Sequence, residues 1–202
     1  MKKSLITLLL VIPSFFLLAQ NYSTTIGLKA MPCISTVYNH PQKYAFSTLR
    51  LNSFGIELRK QLRYSRFHLQ SGIYSINRGF QHFNSISTGF NTVWHYISIQ
   101  QHLNIPFSIV YKRNEYYYGI GGNINYYLSH KYYEDSILVS TKKPDNAKNV
   151  IIGGQAFIGY DFNLGEHWRL GVEVLTNLTI NPNILNFGLG LTTKYAFGNS
   201  CK

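Results

Sequence analysis

The closing stretch NFGLGLTTKYAF, Asn186 to Phe197, sorts its residues by parity. Phe187, Leu189, Leu191, Thr193, Tyr195 and Phe197 share one parity, and Asn186, Gly188, Gly190, Thr192, Lys194 and Ala196 the other. Successive side chains of a β-strand point to opposite faces, so this period of two marks a strand with one apolar side. Trp168 to Leu178 and Ile152 to Leu164 repeat it, as do Phe54–Leu58, Phe67–Ile73 and Ile97–Ile109. The first strand is less sharply patterned, with Ile26, Leu28 and Ala30 against Gly27, Lys29 and Met31. No helical periodicity competes with the pattern after residue 20.

Eight strands are expected, at about 22–32, 48–61, 65–77, 93–111, 116–129, 150–163, 167–180 and 185–198. Their connections alternate in length. Residues 62–64, 112–115 and 164–166 read as tight turns, and residues 33–47, 78–92 and 130–149 as long polar loops. Asn181-Pro182-Asn183 reads as a shorter fourth loop.

Soluble sandwiches, lipocalin-like barrels and transmembrane barrels all alternate, so the chemistry of the two faces must decide. A soluble barrel turns charge outward. Here the polar parity is rich in Gly, Asn, Gln and Ser, and its charges are few: Lys29, Glu57, Arg59, Asp161, Arg169, Glu173 and Lys194. Glycine covers a solvent face poorly but suits a crowded lumen. The apolar parity is nearly free of charge and bracketed by Tyr, Phe and Trp, as lipid-facing strands are. A closed barrel also pairs every backbone group internally, which lipid demands. The expected fold is therefore all-β: an eight-stranded antiparallel up-and-down transmembrane β-barrel over residues 20–202, with both termini in the periplasm.

Charged residues make up 13% of the chain and aromatics 15%, against about 25% charge in an ordinary soluble domain. The start, MKKSLITLLLVIPSFFLLAQ, has a positive n-region at Lys2 and Lys3, an apolar h-region from Leu5 to Leu18, and a small residue at Ala19. That is the form of a secretory signal peptide over residues 1–19. Without it, 17 Lys and Arg face 8 Asp and Glu. For an exported protein this positive balance points to outer-membrane lipid and lipopolysaccharide as partners, and away from nucleic acid. Two cysteines, Cys33 and Cys201, are too few for a disulfide scaffold. Lying toward opposite ends of the barrel, they are not expected to bridge.

FHLQSGIYSINRGF (67–80), HLNIPFSIVYK (102–112), YYYGIGGNINYYL (116–128) and NFGLGLTTKYAF (186–197) follow one another along the chain. In this order and spacing the chain resembles the small outer-membrane β-barrel family of Gram-negative bacteria that includes PorT-like proteins. The resemblance implies an eight-stranded barrel in the cell outer membrane and no cofactor. It also implies a structural or interaction role, which for some PorT-like members is linked to protein secretion. An envelope or secretion-system protein is thus a possible partner. Many outer-membrane barrels end on an aromatic residue; here Gly198-Asn-Ser-Cys-Lys202 follows Phe197.

No catalytic or metal site is expected. Lipid A-modifying enzymes on small barrels are the alternative from another class, and a narrow pore is a third. The deacylase pattern His-x-Ser-Asn is missing from the late strands, and His68 and Ser71 fall on opposite parities. A nucleophile and its base must lie within hydrogen-bond reach. The seven histidines show no ligand spacing. The glycines of YYYGIGGNINYYL lie within a strand, with no helix following to aim its amides at a phosphate.

Two sets of residues remain. Lys29, Glu57, Arg59, Arg169, Glu173 and Lys194 form an expected lumenal charge cluster. An eight-stranded interior is just filled by side chains, and a charge there must be paired. Glu57 and Glu173 are accordingly expected to pair with cations from Arg59, Arg169, Lys29 and Lys194. Lys131, Tyr132, Tyr133, Lys142 and Lys143 form a candidate contact surface on the loop over 130–149, fit for an anionic sugar, lipopolysaccharide or a partner protein.

Overall fold

The computed structural model describes residues 23–37, 46–47, 49–62, 65–88, 90–143, 148–180 and 183–197. The signal-peptide reading of residues 1–19 and the position of Cys201 fall outside them. Eight long strands form the wall: β1 (Thr24–Val37), β3 (Leu49–Gln61), β4 (Phe67–Thr88), β5 (Phe90–Arg113), β6 (Tyr116–Glu134), β8 (Val150–Asn163), β9 (Trp168–Thr179) and β10 (Ile184–Phe197). Two short pieces, β2 (Phe46–Ser47) and β7 (Ile137–Ser140), pair with the outer parts of β4 and β6. Each long strand pairs antiparallel with its chain neighbours, and β1 pairs with β10 to close the ring. A closed ring has no free edge.

The tight turns, the start of β1 at Thr24 and the end of β10 at Phe197 lie together at one rim, here the turn end; the longer connections lie at the other, the loop end. The parities of the sequence become the two faces of the wall. Leu28, Ile120 and Ile152 point out and are 67%, 71% and 68% exposed. Lys29, Glu57, Glu173 and Lys194 point in and are almost fully buried. The buried apolar residues Met31, Val110, Tyr117, Phe157 and Leu175 lie inside the ring among polar groups. Where Lys29, Gln70, Asn104 and Asn177 meet Met31, Ile76, Pro106 and Leu175, a cavity of about 10 Å³ remains, the size of one water molecule.

Outward-facing aromatics form a belt at the turn end. Phe67 packs on Tyr111 and Tyr111 stacks on Tyr118. Tyr116 packs on Tyr160, which meets Phe162; Trp168 packs on Tyr195, which meets Phe197. Among the described residues, six of the eight strands contribute.

Three expected boundaries move. β1 runs to Val37, past the expected end near residue 32. Residues 78–92 are a continuation of the β4–β5 hairpin, paired to Thr88 and Phe90, in place of the expected long loop. Residues 130–149 are partly strand as well: β6 continues to Glu134 and returns through Asp135 and Ser136 into β7. Both turn residues have positive φ, 46° and 70°, the geometry of a tight two-residue hairpin. Backbone pairing needs a neighbouring strand and no apolar face, so it outruns the alternation from which the ends were read.

Candidate functional site

The inward face divides into two levels. At the turn end, Lys29 (β1), Glu57 and Arg59 (β3), Lys112 (β5), Asp161 (β8), Glu173 (β9) and Lys194 (β10) converge. Asp161 is the hub: it pairs with Lys194 and Lys112, both at 2.7 Å, and with Arg59 at 3.7 Å. Glu57 pairs with Lys194 at 3.5 Å, Arg59 at 3.8 Å and Lys29 at 4.0 Å. Glu173 pairs with Lys29. Neutral groups complete the net. Arg59 donates through Nε and Nη2 to Gln70 Oε1, and the Tyr74 hydroxyl donates to Glu57. The Tyr117 hydroxyl donates to Glu173 Oε2 at 3.2 Å, while its ring lies 4.1 Å from the Arg59 guanidinium and 4.4 Å from Lys194 Nζ. Cations over an aromatic face are attracted by its quadrupole.

Glycine makes the space. Glu57 faces Gly27 and Gly72 across the strands, Glu173 faces Gly159 and Gly190, and Asp161 faces Gly171. A Cβ on Gly171 would come within 2.8 Å of Lys194 Nζ, and one on Gly190 within 2.8 Å of Glu173 Cγ.

Toward the loop end the lumen is lined by amides. Asn104 donates to Asn125 Oδ1, and Asn125 donates to Asn123 Oδ1, both at 2.6 Å. Asn123 reaches Asn177 at 3.3 Å, and Arg78 Nη2 donates to the same Asn177 oxygen at 3.0 Å. His102 is fully buried and packs edge-on against Tyr127.

Of the expected cluster, Lys29, Glu57, Arg59, Glu173 and Lys194 come together. Arg169 does not: it lies beside Lys194 in the β9–β10 register, and no ion pair joins it to a carboxylate among the described residues. Both carboxylates expected to pair have cations within 4.0 Å. The expectation omitted Asp161, Lys112, Tyr117 and Arg78 from the set. Lys112 falls in the stretch expected as a turn and Arg78 in the one expected as a loop. Parity could have found both, since Lys112 continues the inward set of Ser108 and Val110, and Arg78 that of Gln70 and Tyr74.

The five residues of the candidate contact surface separate. A bulge in β6, where the pairing steps from Gln101–Ser129 to His102–Tyr127, reverses the parity beyond Leu128. His130 and Tyr132 then face inward: His130 bonds Ser98 and the Lys142 carbonyl, and Tyr132 stacks on Tyr96. Lys131 and Tyr133 take the outward parity. Lys143 bonds Asn149 at 2.6 Å and lies 5.5 Å from the Tyr127 ring.

His68 points inward and Ser71 outward from β4. Cys33 is buried with a free thiol. Among the described residues no three His, Cys, Asp or Glu side chains are placed to hold a metal ion.

No protein-family model matches the chain, and no curated protein sequence does. Among solved structures it is similar to Ail, the attachment invasion locus protein of Yersinia pestis, with TM-score 0.49 and 9% identity over 88% of this chain and 100% of that one. It is similar to Neisserial surface protein A, with TM-score 0.47 and 10% identity over 86% and 97% of the two chains. For the outer membrane protein OprG from Pseudomonas aeruginosa the values are 0.43 and 13% over 87% and 97%.

Proposed function

We propose that the chain is an integral outer-membrane β-barrel with a sealed lumen, acting through its wall and its loops without catalysis. The observation that carries this reading is the inversion of the two faces: buried paired charges inside, an apolar wall outside. In water the exposed Leu, Ile and Phe of that wall would make one apolar patch around the whole molecule, far beyond what a soluble monomer tolerates. In lipid the same wall is matched, and the aromatic belt falls at a membrane–water boundary. Tight turns and termini then belong to the periplasm and the longer connections to the outside. Lys131, Lys142 and Lys143 at the loop end suit lipopolysaccharide phosphates, and the same rim would contact an envelope or secretion-system partner.

The lumen supports the non-conducting reading. Its mid-level cavity is the size of one water molecule, and the ion cluster fills the section below it. The test is membrane fractionation with a gel-mobility shift on heating, combined with planar-bilayer recording. A heat-modifiable outer-membrane protein without porin-like conductance is expected. Recovery in the soluble periplasm sinks the membrane reading, and open-porin currents sink the sealed lumen. A changed lipid A acyl pattern on expression of the protein would replace the non-catalytic role with lipid modification.

A further inference from the structure

Arg78 projects from β4 into the amide-lined level and is 1% exposed. Its Nη2 reaches Asn177, but Nε and Nη1 have no hydrogen-bond partner, and no ion pair joins it to a carboxylate among the described residues. His102 is equally buried, and neither ring nitrogen has a partner within hydrogen-bond geometry. His102 lies opposite Ile76 and Arg78 opposite Gln100, so the two are inward-facing neighbours on adjacent rungs of the β4–β5 pairing. The polar side chains around them include the carboxamides of Asn104, Asn123, Asn125 and Asn177.

The eight acidic residues of the chain account for the gap. Glu57, Asp161 and Glu173 are engaged at the turn end. Glu115 and Glu166 lie at turns on that same rim, and Glu134 and Asp135 lie at the β6–β7 hairpin, where Asp135 accepts from the His95 amide. Asp145 lies outside the described residues. A guanidinium keeps its charge at every accessible pH. Buried without a counter-charge, it destabilises the fold.

We propose that the loop-end half of the lumen is an anion site. A small monovalent inorganic anion of the chloride class binds Arg78 through Nε and Nη1, with an N–H of His102 as a further donor. The size follows from the barrel: eight strands leave room for side chains and isolated solvent-sized guests, not for an organic ligand.

The test uses the refolded full barrel in detergent micelles. Exchanging sodium gluconate for sodium chloride at constant ionic strength should raise the unfolding midpoint of the wild type in a saturable way, by about 5 °C at saturation. The rise should vanish in Arg78→Gln and persist in Lys143→Ala, which removes an exposed cation at the mouth. Crystals grown in sodium bromide supply a readout that needs no variant: anomalous density should appear in contact with Arg78 Nε or Nη1. A midpoint indifferent to chloride, or bromide density absent from Arg78, overturns the proposal. So does a chloride response that emerges only in Asp145→Asn, which would make Asp145 the counter-charge.

Discussion

At the turn end of the lumen, four cations and three carboxylates from six strands share one net of ion pairs. At the loop end the lumen is lined by asparagines bonded side chain to side chain, with one guanidinium among them. Both levels are buried inside an identical wall. In the first, each charge lies beside its opposite, so desolvation is offset by short Coulomb contacts and shared hydrogen bonds. In the second, neutral amides satisfy one another, and the lone cation is satisfied in part. Breaking a partner therefore has different consequences in the two levels: an uncompensated charge in one, an unpaired dipole in the other.

The largest effect should come from removing the hub. Asp161→Ala leaves Lys112, Lys194 and Arg59 facing one another and should cost about 3–5 kcal/mol, read by urea unfolding of the refolded barrel. A loss below about 1 kcal/mol would mean that the charges act as separately hydrated groups. Next comes crowding. Gly190→Val drives its side chain into Glu173 Cγ and Lys29 Cε, 2.8 and 2.9 Å from a Cβ there. It should cost about 1–3 kcal/mol and lower the temperature of the gel-mobility shift. An unchanged shift would show slack at this level that the geometry does not have.

In the amide level, Asn125→Ala strips the partner from Asn104 Nδ2 and from Asn123 Oδ1. About 1–3 kcal/mol is expected, less than for Asp161→Ala under the same conditions; the reverse ranking would erase the distinction between the two levels. Smallest of all, Lys143→Ala at the exposed mouth should leave the unfolding midpoint in place and weaken lipopolysaccharide binding, measured by titration of the micellar protein. Unchanged binding would remove Lys143 from the contact surface.

The stretch YYYGIGGNINYYL shows how far a sequence of this type can be read. Tyr116, Tyr118, Ile120 and Tyr126 were assignable to the outer face, and Tyr117, Asn123 and Asn125 to the inner one, because each assignment depends on counting by two. That Tyr117 would lie between Arg59 and Lys194 was not assignable. Those residues are 58 and 77 positions away, and their level relative to Tyr117 depends on how every intervening strand is staggered. Asp161 illustrates the same limit. Its inward parity was plain, yet its place as hub rests on its rung meeting those of Lys112 and Lys194. The bulge at Leu128 shows the converse, since one extra residue turned Tyr132 inward and dispersed a surface that looks continuous along the chain.

What the order of residues established is which side of the wall each strand residue occupies, since alternation is a property of a single strand and lipid outside tolerates only one answer. It also set the crowding of the interior, through glycines spaced along the inward parity. Closure of the ring added the rest. Registers between neighbouring strands accumulate around the barrel and bring residues from six strands to one height. They sort the interior into a charged level and an amide level, and carry Arg78 to a height where no described carboxylate meets it.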